Sequence, residues 1–240
     1  GEGLVSAQAE VSLERSGKAK VSACLWQPGQ YALTSANGKC ARFQVGALPS
    51  PLVIAGPWDV AFAPGGGAPP QAQFEQLISW TQRSEPGIKY FSGTATYTRR
   101  FSLPPGLLQP GRRLFLDLGK VDVMADVRLN GQALGTLWKA PYRVEITPAL
   151  KPGWNTLSIK VANLWINRQI GDEWLPEDSQ RNPNGTLKAW PEWLEKGEKS
   201  PTGRYSFTSW RLWKKDSPLQ ESGLLGPVRL LSAQEVQASP

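Results

Sequence analysis

"VDVMADVRLNGQALGTLW" (Val121–Trp138) decides the fold class. Val121, Val123, Ala125, Val127 and Leu129 occupy alternate positions, and Asp122, Met124, Asp126 and Arg128 fill the gaps between them. Successive side chains of a strand point to opposite faces, so this alternation predicts one strand with a dry face and a wet face. Asn130-Gly131 follows, a pair that tolerates the positive φ of a two-residue hairpin turn, and the chain returns as a second strand.

The same logic extends in both directions. "RRLFLDLG" places Leu114, Leu116 and Leu118 on one face, and "NTLSIKVAN" does so with Leu157, Ile159 and Val161. "GTATYTRRFSL", "YSFTSWRLW" and "GPVRLLSAQEV" read as further strands, with Trp210 and Trp213 on opposite faces of theirs. Residues 1–48 hold short strands and an Asn-Gly turn at Ala36–Lys39. Pro49, Pro51 and Pro57 then mark a boundary near residue 50, dividing a small β segment (1–50) from the main unit (51–240). Helix is confined to "FEQLISWTQ" (Phe74–Gln82) and one or two turns starting at Pro191. Closely spaced strands with Gly/Pro turns and almost no helix predict an all-β protein, a β-sandwich of jelly-roll character.

Composition narrows the chemistry. The 240 residues include no His, which excludes Ser–His–Asp triads, His-ligated zinc and imidazole acid–base work. Cys24 and Cys40 are too few to close a four-ligand metal site; a disulfide between them and two buried thiols stay equally open. The net charge of +7 is interspersed, with no basic block longer than two residues, so no nucleic-acid partner is expected. No apolar run reaches the roughly 18–20 residues that span a bilayer, and no membrane partner is expected. The chain does not begin with Met, and it reads as a piece of a longer protein.

Of the eleven Trp, Trp165, Trp174, Trp190, Trp193, Trp210 and Trp213 fall within one stretch of irregular sequence. That stretch opens with "NLWINRQIGDEWLPED" (residues 163–178), where Asp172, Glu173, Glu177 and Asp178 crowd together. Glycoside hydrolysis needs two carboxylates at a set separation, one with a raised pKa, and no motif here singles out such an acid. An indole face, by contrast, suits the apolar C–H face of a pyranose. The expected sugar contacts are therefore Trp165, Trp174, Trp190 and Trp193 by stacking, with Asn167, Arg168 and Asp172 bonding hydroxyls. Competing structural roles stay open: Trp165 as core, and Arg168–Asp172, four residues apart, as a local ion pair. Trp58, Trp138 and Trp154 read as sandwich packing or turn lids.

Several long strings carry a resemblance: "GPWDVAF", "LISWTQRSEPGIKYFSGTATYTRRF", the run from "LDLGKVDVMADVRLNGQALGTLWKAPYRVEITPAL" to "NLWINRQIGDEWLPED", and "RYSFTSWRLWKKDSPLQESGLLGPVRL". From about Pro51 to Leu231 the chain resembles the C-terminal part of glycoside hydrolase family 106, the α-L-rhamnosidase-type enzymes. Its central portion is similar to the galactose-binding-like jelly roll of family 2 glycosidases. The resemblance implies a catalytic (β/α)₈ barrel outside this region, and about 250 residues of barrel do not fit here. It therefore implies a non-catalytic accessory domain that binds a polysaccharide or oligosaccharide, or one that braces the catalytic glycosidase domain. It also implies a bacterial, secreted or periplasmic setting. No cofactor or metal ligand set is expected, though such sandwiches commonly hold a structural calcium and the 172–178 carboxylates are the place to test for one.

Overall fold

The computed structural model describes residues 11–15, 21–34 and 38–238. The strands in chain order are β1 (Val11–Arg15), β2 (Val21–Leu25), β3 (Gly29–Thr34), β4 (Cys40–Val45), β5 (Leu52–Val53), β6 (Trp58–Phe62), β7 (Gln71–Phe74) and β8 (Thr94–Leu103). They continue as β9 (Arg112–Asp117), β10 (Lys120–Asp122), β11 (Met124–Leu129), β12 (Gln132–Leu137), β13 (Arg143–Glu145), β14 (Gly153–Ala162), β15 (Gly223–Gly226) and β16 (Arg229–Ala238). Among the described residues, three short α-helices, α1 (Pro86–Lys89), α2 (Ile166–Asp172) and α3 (Glu192–Glu195), and two 3₁₀ turns (Trp80–Gln82 and Thr147–Ala149) interrupt them.

Two main sheets make the sandwich. One runs β12-β11-β14-β8-β6-β7, the other β1-β2-β16-β9-β13 with β5 also paired to β16. All the pairings within these sheets are antiparallel, and β14 and β8 share ten residues of register from Gly153↔Leu103 to Ala162↔Thr94. Alternate residues of these strands meet in one core. Ala125, Val127 and Leu129 of β11, Leu157, Ile159 and Val161 of β14, and Leu114 and Leu116 of β9 are all buried in it. An aromatic group fills one end: Trp58, Phe62, Phe74, Trp80, Phe91 and Tyr97, packed mostly edge to face. The fold is an all-β sandwich, as the alternation predicts.

The N-terminal strands are joined to this body. β2 pairs with β16 from Val21↔Ala238 to Leu25↔Gln234, while β3 and β4 form a separate hairpin over Ala23, Leu25 and Val45. The Ala36–Lys39 turn lies partly outside the described residues; its flanks pair as expected of a hairpin. Cys24 and Cys40 are not bonded to each other: Cys24 is buried and accepts a contact from Arg113 Nη1 at 3.1 Å, whereas Cys40 is exposed.

Several local expectations are corrected. Val121–Leu129 is two strands, because the chain changes partner at residue 123: Lys120–Asp122 pairs with β15, and Met124 onward pairs with β12 and β14. Phe74–Gln82 is not a helix. Phe74 ends β7, and only Trp80–Gln82 makes a single 3₁₀ turn capped by Ser79. Residues 205–213 form no strand; one isolated bridge joins Trp210 to Thr186. Trp58 is core, but Trp138 and Trp154 stand exposed, Trp154 under the guanidinium of Arg100 at 5.3 Å.

Acid should loosen the body at the β9–β13 pair. The Arg113 hydrogen bond holds the Glu145 carboxyl below its ordinary range, against an opposing push from burial. Such a group stabilises the fold above its unfolded pKa, about 4.3, and the contribution is lost as pH falls through the lower folded value. Burial raises Asp122, which works in the opposite sense. Thermal melts from pH 7 down to pH 3 should therefore show Tm falling below the ordinary carboxylate range, with a shallower fall in Glu145→Gln.

Candidate functional site

At the end of β14 the chain leaves the sheet and does not re-enter one until β15. Asn163 fixes the departure, accepting from Gly93 N at 2.9 Å and donating to Phe91 O at 2.8 Å. Leu164 and Trp165 then lie exposed, and α2 follows with Asn167, Arg168, Ile170, Gly171 and Asp172 buried. Asn167 ties the start of the excursion to its end: its Nδ2 donates to Gln220 O at 2.7 Å, and its Oδ1 accepts from Gln220 N at 2.8 Å. Asp172 ties it to its middle. Oδ2 accepts from Tyr205 N (3.0 Å), Ser206 N (2.7 Å) and Ser206 Oγ (2.7 Å), while Oδ1 lies 3.0 Å from Arg168 Nε.

A second polar layer sits next to this one. Glu173 pairs with Arg204 at 3.0 Å and Arg211 at 3.2 Å, and Glu177 pairs with Arg211 and, at 3.7 Å, with Arg181. Arg204 also donates to the carbonyls of Leu175 (3.0 Å) and Pro176 (2.9 Å), and Arg181 to those of Gly185 (3.1 Å) and Thr208 (2.7 Å). These bonds replace the ladder that an irregular segment lacks, satisfying its backbone with guanidinium donors. Burial pushes Glu177 up, but the Arg211 charge, Ser179 and Arg204 outweigh it and hold the carboxyl below its ordinary value. The acidic group is thus spent on arginines, serines and backbone donors. A calcium ion there would meet guanidinium groups in place of free oxygens, so these residues do not fit a cation. Among the described residues no cluster of three or more Asp, Glu, Cys or His could hold one.

Two of the clefts on the excursion have aromatic walls. The first, about 750 Å³, lies between Trp190 and Trp193 on one side and Glu177 and Asp178 on the other. Phe207 supports both indoles with ring centroids at 5.8 Å, and Trp193 Nε1 donates to Asp178 O at 3.0 Å. The second, about 520 Å³, is walled by Trp174, Tyr90 and Tyr205, with Arg168 also in its lining.

The expected site residues therefore divide. Trp165, Trp174 and Trp190 are exposed, and Trp193 is half-buried at the first cleft. Trp165 lines neither cleft. Asn167, Arg168 and Asp172 are turned inward, and the bonds of Asn167 and Asp172 go to their own chain; of the three, Arg168 lines the second aromatic cleft, and Asn167 borders a smaller polar one of about 190 Å³ with Asp122 and Glu221. Tyr90, Tyr205 and Phe207 were missed by sequence reasoning. Nothing near Tyr90 signals a cleft, and the polar surroundings of Tyr205 and Phe207 in "GRYSFTS" resembled a strand.

Comparison with known proteins fits this architecture. Residues 81–191 match the family model described as glycosyl hydrolase 2 galactose-binding domain-like. A curated Formosa agariphila protein, provisionally named a beta-glucuronidase, is 44% identical over 203 residues, which is 85% of this chain and 17% of that protein. The solved rhamnosidase of Novosphingobium sp. PP1Y superposes with a TM-score of 0.62 at 28% identity, over 94% of this chain and 24% of that one. A Bifidobacterium dentium beta-glucuronidase solved with coumarin-3-O-glucuronide gives a TM-score of 0.49 at 22% identity, over 77% and 30%. The sandwich is thus of galactose-binding-like type, similar to portions of glycoside hydrolases. It spans only a minor part of the length of each relative.

Proposed function

We propose that the chain is a carbohydrate-binding accessory domain of a rhamnosidase-type glycoside hydrolase, of family 106, and is non-catalytic by itself. The observation that carries this reading is the fixed presentation of exposed indoles: Trp174 is 61% and Trp190 is 59% exposed, on a segment braced by buried ion pairs. Exposed Trp held over a cleft is a poor use of core-forming residues and a good sugar platform. The likeness to a solved rhamnosidase supports the parent class. Non-catalysis is supported by the carboxylates of 172–178, which are committed to arginines, serines and backbone donors. A cell-wall polymer would be met outside the cytoplasm, hence a secreted or periplasmic bacterial setting.

Titration with plant cell-wall polysaccharides, read by intrinsic Trp fluorescence and affinity electrophoresis, tests this. Trp174→Ala with Trp190→Ala should weaken binding about tenfold or more, because each large side chain is worth about 1.5–3 kcal/mol when buried. No response across a broad neutral and acidic panel would reject the reading. A bracing domain with no sugar site would then remain, favoured by the exposed Leu164, Trp165 and Leu212 and by relatives several times longer than this chain.

A further inference from the structure

The two clefts differ in charge. Glu177, Asp178, Glu192 and Glu198 line the first against a single Lys196, whereas the second is lined by no carboxylate at all. Arg168, 5% exposed, is its one charged lining residue. The guanidinium lies 4.9 Å from the Tyr205 ring centre and 5.8 Å from that of Tyr90. Lys89 and Lys215 add positive charge over two of the walls, 5.7 Å from the Tyr90 ring and 5.4 Å from the Trp174 ring.

Arg168 is under-used by its own chain. Its anionic neighbour is Asp172, placed on the Nε edge at 3.0 Å without hydrogen-bond alignment, and the other oxygen of Asp172 is taken by three donors. The two terminal amino groups, Nη1 and Nη2, donate to no acceptor among the described residues. The buried atom of Arg168 left without a hydrogen bond is Nε, on the Asp172 side, and the Nη groups are not closed off in the same way. Gly171 keeps this geometry open: a Cβ there would lie 2.5 Å from Nη2 of Arg168 and 2.6 Å from Tyr90.

We propose that this cleft receives the carboxylate of an acidic sugar, a uronate residue of a glycan chain, on the Nη edge of Arg168, with the sugar ring against Trp174. The inference rests on the carbohydrate-binding reading and names the ligand class for one of its two clefts. A guanidinium fork matches a carboxylate in two parallel N–H···O bonds, which a hydroxyl cannot reproduce. A neutral sugar would offer the Nη groups hydroxyl acceptors but no second negative charge. The acidic cleft around Trp190 repels the same ligand, so the uronate should distinguish the two.

Calorimetric titration of the 240-residue chain with a galacturonate trisaccharide and its carboxyl-reduced, neutral counterpart tests the assignment. The uronate should bind about tenfold or more tightly than the neutral probe. Its affinity should fall as salt rises from about 50 to about 500 mM. Trp174→Ala, an exposed position, should abolish uronate binding, and Trp190→Ala should preserve it. Equal affinity for the two probes, or loss with Trp190→Ala and none with Trp174→Ala, overturns the assignment while leaving glycan binding standing. Silence toward both probes and the wider panel overturns the inference and the binding reading together.

Discussion

Asp172→Ala is expected to lower the unfolding free energy by about 3–5 kcal/mol, the usual cost of removing one partner from a buried ion pair. The carboxylate side chain is 2% exposed and that of Arg168 is 7% exposed, so water replaces little of what either charge loses when its partner goes. Truncation also strands Tyr205 N and Ser206 N, which donate to Oδ2 at 3.0 and 2.7 Å. For a chain of this size the loss corresponds to a drop of roughly 10 °C in Tm. Asp172→Asn keeps an acceptor for Tyr205 and Ser206 but removes the charge, and should cost less. Limited proteolysis should show the excursion around residues 173–206 opening first, because its other ties are nearer the surface. A change below about 1 kcal/mol for Asp172→Ala would refute the bracing role.

Trp80→Ala should cost a similar amount, about 3–5 kcal/mol, by a different route. Trp80 is fully buried between Phe91 at 5.5 Å and Phe62 at 5.7 Å, so truncation opens a cavity in the aromatic end of the core. Its Nε1 donates to Tyr97 Oη at 2.5 Å, and Leu224 N donates to the same oxygen at 3.2 Å. Burial pushes the Tyr97 hydroxyl up to about 12 despite those two donors, so it stays neutral at working pH. The backbone N–H of Trp80 also donates to Ser222 O at 3.0 Å, where the excursion returns to the sheet. Trp80→Phe keeps most of the volume and isolates the hydrogen bond, at about 1–3 kcal/mol. Chemical denaturation of the two variants separates cavity from hydrogen bond; equal losses would show that packing contributes nothing here.

The strands that are legible in the sequence are those whose two faces meet different environments along their whole length. β14 is the clearest case, with Leu157, Ile159 and Val161 dry and Thr156 and Lys160 wet. The break after Asp122 is invisible because alternation persists across it; what changes is the partner strand, which a local pattern does not encode. Phe74–Gln82 carries apolar residues at helical spacing, yet Trp80 is buried by a single turn and Phe74 by a strand end. "YSFTSWRLW" alternates as a strand does, but its backbone is satisfied by Asp172, Arg181 and an isolated bridge.

The candidate site shows the same limit. The exposed indoles of Trp174 and Trp190 were legible because polar and Pro neighbours cannot build a core around them. The burial of Asn167 and Asp172 was not, since their partners lie 33 to 53 residues onward, at Tyr205, Ser206 and Gln220. The local pairing of Arg168 with Asp172 was an open reading of their spacing, and it is the one the structure adopts.

β14 has one more consequence, a mechanical one. It is a ten-residue strand bonded along its length to β8 and over six residues to β11, and it passes through only three residues into α2. Tension on a polymer held at the excursion would reach the body along that strand, loading the rungs on both its edges together and not peeling them one at a time. Any such pull would be resisted from the interior of the sheet, where β14 lies between β11 and β8.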